Sequence, residues 1–144
     1  MDVDRNEWEG GCHCGAVRFR ARLANGLRTA LRCNCSLCRM RGAVVLFAPL
    51  DGLTIVSGED KLGTYRFNTG AAEHHFCTVC GIYTHHQRRL DPTQYAINAA
   101  CLDGLSPFDF AEVPVLDGIH HPLDDPQGRT LMAGVIKFEP APTP

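Results

Sequence analysis

The sequence predicts an all-β protein, mainly antiparallel, with a few short helical turns. Short runs of apolar and β-branched residues recur at roughly ten-residue spacing, and turn-forming residues separate them. No stretch has the sustained periodicity of a long amphipathic helix. Parallel strands need crossover helices, which this pattern lacks, so the strands are expected to pair as antiparallel neighbours.

The first predicted strand, residues 16–22, alternates apolar and basic side chains, as a strand does when one face packs on a core and the other faces water. A hairpin is predicted next, because the apolar run 44–47 ends before Pro49 and the run 53–56 follows a turn at residues 51–52. The other predicted strands are residues 63–67, 73–76, 82–85, 95–98 and 134–138.

Proline and turn residues shape the second half of the chain. One helical turn is expected at residues 91–94 and another after Pro107. Residues 140–144 contain Pro at every second position, so they cannot sustain sheet hydrogen bonding and are expected to form an extended, flexible tail.

Length and charge exclude several classes of protein. A chain of 144 residues fits one domain with a single core. The formal net charge of −2 provides no positive field, which argues against binding to nucleic acid or to a membrane surface. No apolar window is long enough to span a membrane, and residues 1–9 are acidic where a secretory signal would be basic, so a cytoplasmic protein is expected.

Eight cysteines are unusual in a reducing compartment, where metal and redox sites are commoner than disulfides. Seven of them form three clusters, and only Cys101 stands alone, as a small buried hydrophobe. The clusters are Cys12-His13-Cys14-Gly15, Cys33-Asn34-Cys35-Ser36-Leu37-Cys38 and Cys77-Thr78-Val79-Cys80-Gly81.

The first and third clusters together offer four thiolates. If Cys12 and Cys14 lie on a strand, their sulfurs share one face, because side chains alternate. A Cys-x-x-Cys followed by Gly81 makes a tight knuckle around a metal. Four cysteines around zinc make a closed, structural site, which predicts structural Zn²⁺ on Cys12, Cys14, Cys77 and Cys80.

The middle cluster offers three thiolates and no adjacent fourth cysteine. Three protein ligands with one exchangeable position is the arrangement of a catalytic zinc site, so Cys33, Cys35 and Cys38 are the predicted reaction centre. Three thiolates leave zinc a weaker Lewis acid towards water than three imidazoles would, and a soft sulfur ligand suits the open position better. Arg39 and Arg41 follow directly and are candidates to lower thiol pKa values or to hold an anionic substrate, the alternative being ordinary solvated arginines.

Other interpretations of the cysteines stay open at this point. The paired clusters could hold disulfides or redox-active thiols, and the triplet could hold an iron–sulfur cluster. The triplet could also be purely structural, completed by a remote ligand. The candidates for that ligand are Cys101, His74, His75, His85 and His86. In each histidine pair, strand geometry places one member on the interior face and one on the solvent face.

The three clusters together resemble the family of glutathione-dependent formaldehyde-activating enzymes (GFA), which also includes centromere protein V. The resemblance rests on residues 11–19, on Cys33-x-Cys35-x-x-Cys38-Arg39 and on Phe76-Cys77-x-x-Cys80-Gly81, with weaker similarity at residues 65–67 and 115–118. Asn34 stands where the family often has His. The similarity divides the chain into an N-terminal extension (1–9), a GFA-type zinc-binding domain (10–139) and a Pro-rich tail (140–144).

The resemblance implies an Mss4-like β-tent, with sheets held by zinc, and two Zn²⁺ sites on the same cysteines as above. It implies a carbon–sulfur lyase that adds a thiol, glutathione or a similar one, to an aldehyde such as formaldehyde, or runs the reverse reaction. In this interpretation Cys33, Cys35, Cys38 and Arg39 form the catalytic site, with Arg39 or Arg41 pairing with substrate carboxylates.

Two functions of other classes compete with the enzyme. One is a non-catalytic, zinc-stabilised protein-binding module, and the other is zinc storage or sensing. A nucleic-acid-binding version would need a basic face, which a chain with two lysines and an acidic N-terminus does not predict. For the enzyme, the expected partners are a small-molecule thiol and an aldehyde, with no nucleic acid and no membrane. Exposed sheet edges would also allow a homodimer, for which the sequence gives no further sign.

Overall fold

A computed structural model describes residues 1–144 and contains eleven strands and one α-helix. The strands are β1 (Glu7–Gly11), β2 (Arg18–Arg22), β3 (Arg32–Cys33), β4 (Val45–Pro49), β5 (Leu53–Ser57), β6 (Leu62–Tyr65), β7 (Glu73–Cys77), β8 (Tyr83–Gln87), β9 (Gln94–Asn98), β10 (Glu112–Leu116) and β11 (Met132–Lys137). The α-helix, α1, covers Ser36–Arg41. One-turn 3-10 helices cover Leu50–Gly52, Glu59–Lys61, Ala99–Cys101, Pro107–Asp109 and Pro122–Asp124.

The strands form three sheets. One has the order β1-β2-β5, the second β4-β9-β8-β7-β6 and the third β11-β10-β3. Every strand pair is antiparallel except β3 with β10. The predicted all-β, mainly antiparallel fold with few helical turns is confirmed. The hairpin predicted from residues 44–47 and 53–56 was wrong, because β4 pairs with β9 and β5 pairs with β2, in different sheets. No helix is long enough to cross a membrane.

The main core joins the first two sheets, and strand alternation decides which residues enter it. In β2, Phe19 and Ala21 are buried while the arginines that alternate with them face outward. In β4, Leu46 and Ala48 enter the core. Val45 and Phe47 alternate with them and therefore occupy the opposite face of the five-stranded sheet, which borders a cavity. That second face carries part of the candidate site.

Three strands and the helix were not expected from the sequence. β1 begins at Glu7 and pairs with β2 from Glu7↔Arg22 to Gly11↔Arg18, so part of the stretch interpreted as an N-terminal extension belongs to a sheet. β3 has only two residues. β10, which lies between β3 and β11 in its sheet, contains Pro114. β1 forms by hairpin pairing with β2, whereas β3 and β10 form by pairing with each other although they lie far apart in the chain.

One of the two expected helical turns is present. Pro107–Asp109 forms a 3-10 turn in which the Ser106 side chain accepts a hydrogen bond from Phe108 N. The helical turn expected at residues 91–94 was wrong. There the Asp91 carboxylate accepts a hydrogen bond from Thr93 N (3.1 Å), which makes an Asx turn, and Gln94 already begins β9.

Candidate functional site

Cys12, Cys14, Cys77 and Cys80 meet in one cluster whose sulfurs all lie within 4.8 Å of one another. The Cys12 and Cys14 sulfurs are 3.6 Å apart, and those of Cys14 and Cys77 are 3.8 Å apart. Zinc–sulfur bonds of about 2.3 Å in a tetrahedron place the sulfurs about 3.8 Å apart, so the cluster has the dimensions of a four-cysteinate zinc site. All eight cysteines are free thiols, which argues against the disulfide alternative.

Two turns build this first cluster. Cys12 and Cys14 lie in the loop of the β1–β2 hairpin, where Val17 N donates to the Cys12 sulfur (3.3 Å). The expectation that they might share a strand was wrong, because β1 ends at Gly11 and the chain turns back towards Val17. On the other side Cys77 ends β7, and the following turn closes with Gly81 N donating to Cys77 O (2.7 Å). Gly81 has φ of 79°, which a side chain would strain.

Cys33, Cys35 and Cys38 form a second cluster with their sulfurs within 4.8 Å of one another. Cys33 ends β3, and Cys35 is the N-cap of α1, its sulfur accepting from Cys38 N (3.4 Å). Cys35 N donates in turn to the Cys33 sulfur (3.4 Å). Because a cap residue points its side chain at the first turn of the helix, the cap brings the sulfurs of Cys35 and Cys38 together.

The three thiols compete for protons. Hydrogen bonding with Cys33 and Cys38 lowers the pKa of Cys35 far below its ordinary value, and hydrogen bonding with Cys33 and Cys35, with burial, raises the pKa of Cys38. One thiolate is therefore favoured, while three in such proximity need a cation among them. A soft divalent metal with sulfur ligands meets that need, so the donor set fits zinc.

The structure brings no protein ligand to complete the second cluster. Cys101 is buried elsewhere, its sulfur 3.5 Å from Tyr83 O. The guanidinium of Arg41 separates His74 from the cluster, with Nη1 3.0 Å from His74 Nδ1 and Nη2 3.5 Å from the Cys38 sulfur. The remote fourth ligand considered from the sequence is thus not provided by any of its five candidates in this structure.

Asn34, inside the second cluster, ties it to the turn after β10. Its Oδ1 accepts from Gly118 N (2.7 Å) and from Ile119 N (3.2 Å). Gly118 lies so close that an added Cβ would be 2.4 Å from the Cys33 sulfur. In the sequence, residues 115–118 stand out only through the family resemblance, and this contact could not be predicted because it joins residues far apart in the chain.

A cavity of about 480 Å³ opens beside the second cluster. It is lined by the three cysteines, by α1 and by one face of the five-stranded sheet, where the strand register aligns Phe47, Ala96, His86 and His74 in a row. A volume of this size is typical of sites that enclose small molecules. The second cluster therefore borders a space large enough for a small molecule, whereas the first cluster does not line it.

Comparison with known proteins gives the same family as the cysteine spacing. The family model of the glutathione-dependent formaldehyde-activating enzyme matches residues 7–112. The chain belongs to the GFA family.

Two relatives extend this result. A Halomonas elongata protein, provisionally named as a glutathione-dependent formaldehyde-activating enzyme, is 37% identical over an alignment of 81 residues that covers 50% of each protein. The chain thus spans about half the length of this curated relative. A crystal structure of a Rhodobacter sphaeroides protein is 50% identical, covers 74% of this chain and 98% of its own, and superposes with a TM-score of 0.73.

The cavity of this GFA-family chain collects arginines that have no carboxylate partner. Seven of the twelve arginines in the sequence form ion pairs with Asp or Glu. Of the other five, all but Arg5 line the cavity. They are Arg32, Arg39, Arg41 and Arg88. Asp124, an acidic residue of the lining, is paired with Arg89 at 2.7 Å. The cavity is accordingly positive and suits an anion.

The four histidines of β7 and β8 split between the two faces of the sheet, as strand geometry predicts. His74 and His86 border the cavity, while His75 and His85 stack on the other face, with ring centroids 4.6 Å apart. Burial, followed by the charge of Arg41, lowers the pKa of His74 to about 4. Burial also lowers the pKa of His86 well below its ordinary value. Both cavity histidines are therefore neutral at neutral pH.

Proposed function

We propose that this protein is a zinc-dependent carbon–sulfur lyase that adds a thiol of the glutathione type to a small aldehyde such as formaldehyde, or catalyses the reverse reaction. One observation carries the proposal: the three-cysteine cluster lacks a fourth protein ligand on the side where a cavity lined by unpaired arginines begins. The assignment to the GFA family supports this chemistry.

Two zinc ions have separate roles in this proposal. Cys12, Cys14, Cys77 and Cys80 hold a closed structural site. Cys33, Cys35 and Cys38 hold the reactive one. When bound there, zinc supplies Lewis acidity that favours the deprotonated form of a soft sulfur ligand.

The protein's own residues bind and orient the substrates. Arg39 is exposed at the cavity edge, and Arg32 lines the same cavity, so the two offer planar donors to the carboxylates of an anionic thiol. The thiol sulfur then adds to the carbonyl carbon, and a C–S bond forms as the C=O π bond breaks. The carbonyl oxygen takes up the proton that the thiol released, so no oxidant or further reactant is required.

The test compares matched cysteine variants in metal content and turnover. We expect two zinc ions per wild-type chain, one in Cys35→Ser, and two in Cys101→Ser, where the hydroxyl can still reach Tyr83 O. Exchange NMR of formaldehyde with glutathione should show faster adduct formation with wild type and Cys101→Ser only. A protein that holds both metals yet accelerates no thiol and aldehyde pair from a panel would disprove the enzyme.

The second candidate is a zinc-stabilised protein-binding module, favoured by one surface. All six residues of β11 are exposed, among them the apolar Met132, Val135 and Ile136. In this case the second metal would bind no added thiol, and the cobalt-substituted protein would show no spectral change on adding glutathione.

A further inference from the structure

Three contacts hold the guanidinium of Arg41 beside the second cluster. Its guanidinium carbon lies 3.5 Å from the centre of the Tyr83 ring, which is a cation–π contact. Nη1 donates to His74 Nδ1 (3.0 Å) and Nη2 donates to the Cys38 sulfur (3.5 Å), because a guanidinium can only donate. Its Nε is buried with no partner. One face and both terminal nitrogens of the guanidinium are thus in contact with the protein.

The helix itself directs Arg41 towards the sulfur cluster. Cys38 and Arg41 are three residues apart on α1, so their side chains lie on the same side of the helix. The helix ends immediately afterwards, with Gly42 in the left-handed region (φ 68°) and its N–H donating to Cys38 O (2.8 Å). Arg39, which directly follows Cys38 in the helix, makes no such contact and is exposed.

The charge of Arg41 has one counter-charge within reach. No carboxylate pairs with Arg41, which is partly buried, and a partly buried cation without a counter-ion is unfavourable. Tyr83 and His74 are both neutral, since burial raises the pKa of Tyr83 and lowers that of His74. The sulfur of Cys38 is the remaining contact that can carry negative charge.

We propose that Arg41 is a positioning residue of the three-cysteine centre, where it serves as the fixed counter-cation and draws electron density from the Cys38 sulfur by a hydrogen bond. The inference rests on the proposed metal at Cys33, Cys35 and Cys38. Three thiolates and a divalent ion carry one net negative charge, and Arg41 neutralises it. The metal is then bound more tightly and stays more electrophilic than three unassisted thiolates would leave it.

Cobalt(II) in place of zinc makes the effect visible in the absence of any substrate. The energy of the sulfur-to-cobalt charge-transfer band reports the electron density on the sulfurs, and a hydrogen bond to sulfur raises that energy. We expect Arg41→Met to shift the band of the second site to longer wavelength. We also expect it to weaken cobalt binding there by about 10–100-fold, as loss of an outer hydrogen bond typically does.

Arg39→Met is the matched control, because it removes the same charge from the same helix without a contact to Cys38. It should leave the band and the cobalt affinity of the second site unchanged. Arg41→Lys keeps the charge without the planar fork and should fall between wild type and Arg41→Met.

Each result decides the proposal. Equal band positions and affinities in Arg41→Met and Arg39→Met, with two metals bound in wild type, would overturn the role of Arg41 and leave the proposed enzyme intact. A wild-type protein that takes up no second metal would overturn both. If Arg41→Met did not fold, as judged by circular dichroism, the shift in Arg41→Lys would decide, and an unshifted band there would refute the hydrogen bond.

Discussion

His85 shows what burial does to a single titratable side chain. It is 4% exposed, its Nδ1 lies 3.0 Å from Thr84 Oγ1, and the edge of its ring meets Tyr95 with centroids 5.3 Å apart. Burial lowers the pKa of His85 to about 3. In the unfolded chain the pKa of the same imidazole is about 6.5. The folded protein therefore excludes a proton that the unfolded chain accepts.

This difference predicts a loss of stability in mild acid. Above about pH 6.5 His85 is neutral in both states and has no effect on the pH dependence. As the pH falls from 6.5 towards 4, only the unfolded chain binds the proton, so the free energy of unfolding decreases. His85→Phe keeps a ring but cannot titrate. Between pH 7 and pH 4 we expect its free energy of unfolding, measured by urea unfolding, to decrease by about 3 kcal/mol less than that of wild type. Metal release in acid affects both proteins alike, and parallel curves would contradict the assignment.

At the scale of single residues, the sequence is most informative where the chemistry depends on spacing. The grouping of cysteines was readable because ligands close in the chain are also close in space, as in Cys33, Cys35 and Cys38. The contact of Arg41 with Tyr83 and His74 was not readable, because it depends on how α1 packs against β7 and β8. A residue type and its neighbours in the chain do not carry that information.

Among the structural elements, those with local alternation were predictable and those made by distant pairing were not. The alternation of arginines and apolar residues predicts β2. β10 does not, since Pro114 interrupts it and its partners β3 and β11 lie far away in the chain. The six-residue α1 is also too short for a periodic signal, and its start is set by a cysteine acting as the N-cap.

The turn at Asp117–Gly118 is an element whose effect on the second cluster can be isolated. Gly118 has room for no side chain, since a Cβ would lie 2.4 Å from the Cys33 sulfur and 2.9 Å from Cys35 Cβ. Its N–H also donates to Asn34 Oδ1. One hydrogen bond and one close approach therefore fix the position of this turn relative to the segment that carries Cys33 and Cys35.

We expect Gly118→Ala to displace the sulfurs of the second cluster and to leave the first cluster intact. Metal analysis should return about one zinc per chain, with the metal of the first site retained and a far-ultraviolet circular dichroism spectrum like that of wild type. Gly134→Ala is the matched control, because nothing lies within 4 Å of the Cβ position at Gly134. Two zinc ions bound with wild-type affinity in Gly118→Ala would show that the turn does not position the cluster.

At the scale of the whole molecule the two clusters have opposite structural roles. The first connects the β1–β2 hairpin loop with the turn between β7 and β8, and so links the two sheets that enclose the core. Its sulfurs at Cys14 and Cys77 are 63 residues apart in the chain. The second cluster lies within six residues of β3 and α1 and closes only a short loop. A cross-link over a long loop restricts the unfolded chain more than one over a short loop.

If each cluster holds the proposed zinc, loss of the two metals should change different properties of the protein. We expect Cys14→Ser to release one zinc and to lower Tm by more than about 10 °C, because a structural zinc site contributes directly to folding and several kcal/mol move Tm by that much in a domain of this size. Cys35→Ser should also release one zinc, yet lower Tm by less than about 3 °C while adduct formation is lost. Differential scanning calorimetry with metal analysis measures both. Since each variant replaces one sulfur by oxygen, a larger fall of Tm in Cys35→Ser than in Cys14→Ser would mean that the three-cysteine cluster, rather than the link between the sheets, stabilises the fold.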